Sequence, residues 1–311
     1  MSKRSWNVVR PNNLVIRFTL VTLGILLAKA GAPPQAIQAQ ENPAKGRAQA
    51  SDASLLTIDR LFKTREFGTE SVPQWRWSDR ESTAFTLDRA TPEKTTADAS
   101  PATQKGRDLV RSDPATGEKE VVIAASAFVP KGETEPLRIE RFQFSADESR
   151  LLISTNSERV WRQNTRGDYW VLDVASGDLK KLGGEAAAPS SLMFAKFSPD
   201  GSRVAYVREN NLYVQEVDGL GVTALTTDGS RTIINGTGDW VNEEELSLRD
   251  GFRWSPDGRH LAYWQFDTSG VSEFHLVNNV VSNSPRITTF AYPKVGETNS
   301  ATRLGVVPVQ G

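Results

Sequence analysis

The segment Asn235 to Leu246, NGTGDWVNEEEL, holds the densest set of groups able to do chemistry. Asp239 is placed to cap a helix, because a short side-chain oxygen there accepts a backbone N–H that the first turn leaves unpaired. Glu243, Glu244 and Glu245 follow within the first turns. Three adjacent carboxylates repel one another unless water solvates them or a cation pairs with them. The run is therefore either a solvated early-helix face, which the helix dipole favours, or a grip for a cation. Composition alone favours the solvated face, as for most charge runs. Asn235-Gly236-Thr237 also fits a glycosylation acceptor, a pattern too common to carry much weight.

Other chemistries are narrowed by what the chain lacks. It has no cysteine, which excludes disulfides, thiolate metal sites, a cysteine nucleophile and a lipid-modified N-terminal cysteine. His260 and His275 are its 2 histidines, too few for a multi-histidine metal site, and both fall in strand-like runs where packing or surface roles are expected. No metal and no cofactor is expected. There is no Gly-x-Ser-x-Gly, the strand-to-helix elbow that carries a hydrolase serine, so no catalytic residue is assigned. The 37 basic and 38 acidic residues leave a net charge of −1, without the basic excess that nucleic-acid binding requires.

The elements that must position the acids read as all-β. One unit recurs: QWRWSDRESTAFTL at Gln74 to Leu87, FQFSADESRLLI at Phe142 to Ile153, AKFSPDGSRVAYV at Ala195 to Val207 and FRWSPDGRHLAYW at Phe252 to Trp264. Each places an aromatic before a serine (Ser78, Ser145, Ser198, Ser255), then a turn centred on Asp, then a β-run. Pro fixes φ in such a turn and Gly accepts positive φ. A hairpin unit repeated every several tens of residues marks a β-propeller; a β-sandwich with similar hairpins is the alternative. Further strands are expected at Asp168 to Val174 and Leu212 to Val217. An exposed polar loop is expected at Asp88 to Arg107. The fold expected is a partial β-propeller of about four blades, preceded by a signal peptide, a linker and a short helix.

The N-terminus reads as an address. Lys3, Arg4 and Arg10 precede an apolar run from Phe18 to Ala28, and small residues follow. That order is the signature of a secretory signal. The alternative is an uncleaved membrane anchor, but a span needs about 20 apolar residues, and Arg17 and Lys29 bracket this run more closely. The domains expected are a signal peptide at 1–32, a flexible Ala/Gln/Pro-rich linker at 33–54 and a propeller region at 55–311. Leu55, Ile58, Leu61 and Phe62 predict a short amphipathic helix at the start of that region. The chain is expected to be exported to the periplasm or outside the cell.

Several of these segments together resemble a known family. Asp239-Trp240-Val241-Asn242-Glu243-Glu244-Glu245-Leu246, then WSPDGRHLAYWQF from Trp254 to Phe266, then Tyr292-Pro293-Lys294-Val295-Gly296, are similar in order to dipeptidyl peptidase IV and its relatives in the prolyl oligopeptidase clan. So are Val160-Trp161-Arg162 and Asp168-Tyr169-Trp170-Val171-Leu172-Asp173 upstream. The chain departs at Asn242, where animal members commonly carry a tyrosine, and at the polar stretch Ser247 to Gly251.

The resemblance implies that Glu244 and Glu245 grip the free α-amino group of a peptide substrate and that Arg162 contacts a substrate carbonyl. It implies an N-terminal propeller acting with an α/β-hydrolase domain. The serine, aspartate and histidine of that domain would lie after Gly311, so this chain alone is expected to be inactive. The complete enzyme would release N-terminal Xaa-Pro or Xaa-Ala dipeptides and would form a homodimer in some members. Partners expected are the peptide amino end and the hydrolase domain, with no nucleic acid. The chain reads as a truncated product or fragment. Two competing expectations are a non-enzymatic periplasmic propeller used as a binding scaffold and a degenerate relative without a nucleophile.

Overall fold

The structure is a computed structural model that describes residues 55–64, 66–69, 75–90, 106–184, 187–219 and 221–309. The signal-peptide and linker expectations for 1–32 and 33–54 lie outside the described residues. Among the described residues no helix is long and apolar enough to cross a membrane.

The chain divides into two compact units, Met1–Thr69 and Glu70–Gly311. In the first, the expected helix forms as α1 (Ile58–Phe62), capped by the Thr57 side chain, which accepts from the Arg60 N–H. It buries none of its residues: Ile58, Leu61 and Phe62 are all exposed.

The second unit is built of antiparallel sheets. Blade I is β1 (Arg76–Trp77), β2 (Ala84–Arg89), β3 (Arg107–Ser112) and β4 (Lys119–Ile123), paired in sequence order. Blade II is β5 (Arg141–Phe144), β6 (Arg150–Arg159), β7 (Asn164–Asp173) and β8 (Leu179–Lys181). Blade III is β9 (Leu192–Phe197), β10 (Arg203–Arg208), β11 (Asn211–Glu216) and β12 (Val222–Ala224). A short β7–β9 pairing at Arg166–Met193 and Gly167–Leu192 joins blades II and III into one eight-stranded sheet. Blade IV is centred on β15 (His260–Asp267). One edge of β15 takes β13 (Ile233–Asn235) and β14 (Phe252–Trp254), and the other takes β18 (Ala301–Pro308). Between β15 and β18 a separate hairpin projects, β16 (Glu273–Asn278) and β17 (Arg286–Ala291). Between β13 and β14 lies one short helix, α2 (Trp240–Glu244).

The strands pack as a propeller requires. Successive side chains of a strand point to opposite faces. In β6, Leu151 and Ile153 join Phe85, Leu109 and Phe142 in a core between blades I and II. Leu152 turns the other way, into a core with Phe197, Val204 and Tyr206 between blades II and III. In β10, Val204 and Tyr206 serve that core, while Ala205 and Val207 pack with Phe252 and Leu261 between blades III and IV. A strand buried on both faces reads as a continuous apolar run, which explains Leu151-Leu152-Ile153 and Val204-Ala205-Tyr206-Val207.

The repeated serine is the hinge of each unit. The Ser198 hydroxyl donates to Asp200 Oδ1 (2.5 Å) and accepts the Arg203 N–H (3.0 Å). Ser145 does the same with Asp147 and Arg150, and Ser255 with Asp257 and His260. These bonds hold the Asp147 carboxyl down at about 2, the Ser145 hydroxyl being the largest cause. Gly201 and Gly258 supply the positive φ that the turn needs, at 71° and 66°. The first unit departs, since the Ser78 hydroxyl accepts from the Arg80 and Glu81 N–H groups and donates to Glu148 of the next blade.

Two details differ from the expectations. The polar loop begins after Arg89, because Asp88 and Arg89 still pair with Asp108 and Arg107 in β3; residues 91–105 of that loop lie outside the described residues. Both histidines are at the surface, His260 opening β15 and His275 in β16 with Nδ1 2.8 Å from the Thr289 hydroxyl.

Candidate functional site

The acidic segment sits on a loop pinched shut at its base. Thr237 and Asp250 form an antiparallel bridge. The Thr237 hydroxyl donates to the Arg249 carbonyl (3.0 Å), and Gly251 N–H donates to the Gly236 carbonyl (3.0 Å). Glycine is obligatory at 238, because a Cβ there would stand 2.2 Å from the Leu248 carbonyl oxygen. Lys196 of β9 clamps the base from below: its Nζ donates to Asp250 Oδ1 (2.5 Å) and to the Phe252 carbonyl (3.0 Å). It also lies over the Phe252 ring, 3.9 Å from the centroid. Burial pushes the Lys196 ammonium down to about 8, against the opposing pull of Asp250.

On this base stands α2. Asp239 caps it as expected, with Oδ1 accepting the Asn242 N–H (2.9 Å). Asp239 Oδ2 accepts the Ser300 hydroxyl (2.6 Å), tying the helix start to the turn before β18. The next residue, Trp240, packs on Tyr292 with ring centroids 4.2 Å apart. Phe290 of β17 bridges onward to Trp161 at 4.9 Å. This aromatic set joins three segments distant in sequence: α2, the β16–β17 hairpin and the turn between β6 and β7. A cavity of about 380 Å³ opens beside it, between Trp161, Trp240, Phe290 and the Arg231–Glu273 ion pair.

The arrangement brings Arg162, one residue after Trp161, onto Glu244. Arg162 Nε lies 2.5 Å from Glu244 Oε2, and the Arg162 backbone N–H donates to Oε1 (3.3 Å). The Glu244 side chain is 3% exposed beneath an arginine that is 73% exposed. Glu245 closes the helix and is exposed, with no hydrogen bond or ion pair to its carboxylate among the described residues. Glu243 points the other way. It is 1% exposed, and its Oε1 has no hydrogen-bond partner among the described residues. Arg249 Nε, at 3.7 Å, is too far to bond it. Burial raises the Glu243 carboxyl to about 7, opposed by the Arg249 charge and reinforced by Glu244.

The three acids are thus not the uniformly solvated face that composition favoured. Glu243 is buried without a hydrogen bond to Oε1, the Glu244 side chain is buried under an arginine, and Glu245 is exposed. The reason is the pinched base, which turns one side of the helix into the protein. Asn235 cannot serve as a glycan acceptor: it is fully buried, and its amide is spent on the Asn210 carbonyl, Asp228 and Gln265. The clamp by Lys196, the Ser300 tie and the aromatic set escaped the sequence reading, although Trp161, Trp240 and Tyr292 each lie in the segments that carry the resemblance.

The family pattern described as the dipeptidyl peptidase IV (DPP IV) N-terminal region matches residues 145–311. Dipeptidyl aminopeptidase B of Saccharomyces cerevisiae is 36% identical over 191 residues, covering 60% of this chain and 22% of the relative. The crystal structure of Porphyromonas gingivalis dipeptidyl peptidase 4 superposes with a TM-score of 0.67 at 25% identity, covering 81% of this chain and 33% of that one. The chain spans about a fifth of the length of the curated relatives it matches. A propeller with these blades, matched from the second serine turn through the acid-bearing helix to its last strand, belongs to the dipeptidyl peptidase IV family, of which it carries the N-terminal region.

Proposed function

We propose that this chain is the substrate-gripping propeller of an exported serine exopeptidase that releases dipeptides, Xaa-Pro or Xaa-Ala, from peptide amino ends. The observation that carries the reading is the division of labour between Glu244 and Glu245 on one short helix. An ammonium has three donors and no acceptor, so two carboxylates saturate it, and charge-assisted bonds are about twice as strong as neutral ones. Glu245 offers both oxygens to solvent. Glu244 is held in place by Arg162 until an ammonium competes for it, and the displaced guanidinium then has a peptide carbonyl to donate to. Gripping the amino end limits the length of peptide that reaches a cutting site, so an endopeptidase cleft becomes a two-residue ruler. The cutting serine would belong to an α/β-hydrolase domain acting with this region.

The test has two arms. The purified chain is expected to bind a free-amino Ala-Pro peptide and to leave an Ala-Pro chromogenic substrate intact. Hydrolysis by the chain alone would overturn the assignment of the cutting step to another domain. This region joined to a family hydrolase domain is expected to cleave the same substrate. Glu244→Gln with Glu245→Gln is expected to cut its kcat/KM by roughly 10²-fold, since losing one partner of a hydrogen-bonded charge pair costs ~2–5 kcal/mol. Unchanged kcat/KM in that variant would overturn the grip.

A further inference from the structure

The residue two places before each repeated serine forms a set. These residues are Arg76, Gln143, Lys196 and Arg253, each on the strand that leads into its blade's serine turn. These four strands, β1, β5, β9 and β14, converge on one cavity of about 430 Å³, and all four of these residues line it. Arg141, at the start of β5, lines it as well. Among the described residues the wall therefore carries four cations, and Asp250 is the only acid lining it.

That acid is already engaged. It accepts from Lys196 (2.5 Å) and lies 3.1 Å from Arg253 Nη1. Arg76 and Arg141 have no carboxylate partner among the described residues. Each reaches one backbone carbonyl, Phe142 at 3.3 Å and Asn164 at 3.5 Å. Two guanidinium forks with free donors, in a cleft whose walls focus the field, match the planar bidentate geometry of an oxyanion. The volume suits a bound group of dicarboxylate size. The same Asp250 forms the base of the loop that carries Glu244 and Glu245, so the cavity and the acid pair share one loop.

We propose that this cavity is an anion site that receives the carboxylates of an acidic stretch in a peptide whose amino end is held at Glu244 and Glu245. The peptide's identity rests on the function proposed above; the anion site rests on the cavity. The two ends then have opposite signs, acid for the ammonium and base for the carboxylates, and acidic peptides are selected over basic ones.

The test separates the two dependences. An amino-blocked triglutamate amide, titrated calorimetrically into the chain at low salt, is expected to bind and to weaken as salt rises. Arg76→Ala with Arg141→Ala is expected to weaken it at least tenfold. Both side chains are exposed, so the fold should hold, as circular dichroism would verify. The charge-keeping Arg76→Lys with Arg141→Lys is expected to recover most of the binding. Glu244→Gln with Glu245→Gln is expected to leave this blocked peptide unaffected while weakening a free-amino peptide, so failure of the amino-end grip shows separately. Equal binding by the wild type and the double alanine variant would overturn the site. Arginine-dependent binding of inorganic phosphate without binding of the triglutamate would overturn the peptide assignment and leave a small free oxyanion as the ligand.

Discussion

At the scale of single residues, Glu243 is the group whose environment departs furthest from what its neighbours suggest. Its carboxyl is raised to about 7 by burial. A raised acid pKa means that the folded state holds its proton more tightly than the unfolded chain. The stabilising protonated form is fully present below the ordinary carboxylate range and is lost as pH rises through about 7. One pKa unit is worth ~1.4 kcal/mol, so the loss across this window is on the order of 3 kcal/mol. Glu243→Gln removes the titration and keeps the shape. Thermal unfolding measured from pH 4.5 to 8 is expected to show the wild type losing stability relative to the variant as pH rises. Parallel curves would show that the carboxyl ionises freely. The sequence displayed the three acids but not their separate fates, because fate depends on which side of α2 meets protein. That is set by the base at Thr237 and Asp250, a pairing across 12 intervening residues that no local pattern announces.

At the scale of elements, the serine turns were legible because every bond in them is local. Ser, Asp and the residue five after the serine close one ring, and the ring recurs with Ser145, Ser198 and Ser255. Ser198→Ala leaves the Arg203 N–H without its acceptor at a buried position, and such a loss costs ~1–3 kcal/mol. Ser255 is partly exposed, so water can replace its hydroxyl. Denaturant unfolding should therefore show a larger loss for Ser198→Ala than for Ser255→Ala; the reverse order would mean that burial does not set the cost. The acid-bearing loop depends on sterics instead. A Cβ at Gly238 meets the Leu248 carbonyl, a backbone atom that cannot swing aside. Forcing extra volume into such a contact costs ~1–3 kcal/mol. Gly238→Ala is expected to open the base, lower the melting temperature and weaken amino-end binding together. Loss of stability with binding intact would mean that the loop's base does not position Glu244.

At the scale of the whole propeller unit, two kinds of contact couple separate blades. The apolar interfaces supply the bulk attraction, since β6 and β10 each face two cores. A polar link recurs on top of them. Arg150, five residues after Ser145, donates to the Gly201 carbonyl in the turn of blade III (2.9 Å), and Arg203, five after Ser198, donates to the Gly258 carbonyl of blade IV (3.3 Å). Blade I reaches blade II by a variant of the link, Arg80 to the Asp147 carbonyl (2.8 Å). One serine position thus organises its own turn while the arginine it fixes grips the next blade, a relation that becomes visible only when the blades lie side by side. The links differ in strength. Arg150 also donates through Nη2 to both oxygens of the exposed Asp218 at 2.8 Å and is itself mostly buried. The bonds of Arg203 are single and longer. Arg150→Ala is expected to cost ~1–3 kcal/mol and to reduce the denaturant dependence of unfolding as blades I and II separate from III and IV, since a smaller slope marks lost two-state behaviour. Arg203→Ala is expected to cost less and to leave the slope unchanged. Urea unfolding followed by tryptophan fluorescence and by far-ultraviolet circular dichroism distinguishes these outcomes: coincident curves for Arg150→Ala would show that the apolar cores alone couple the blades.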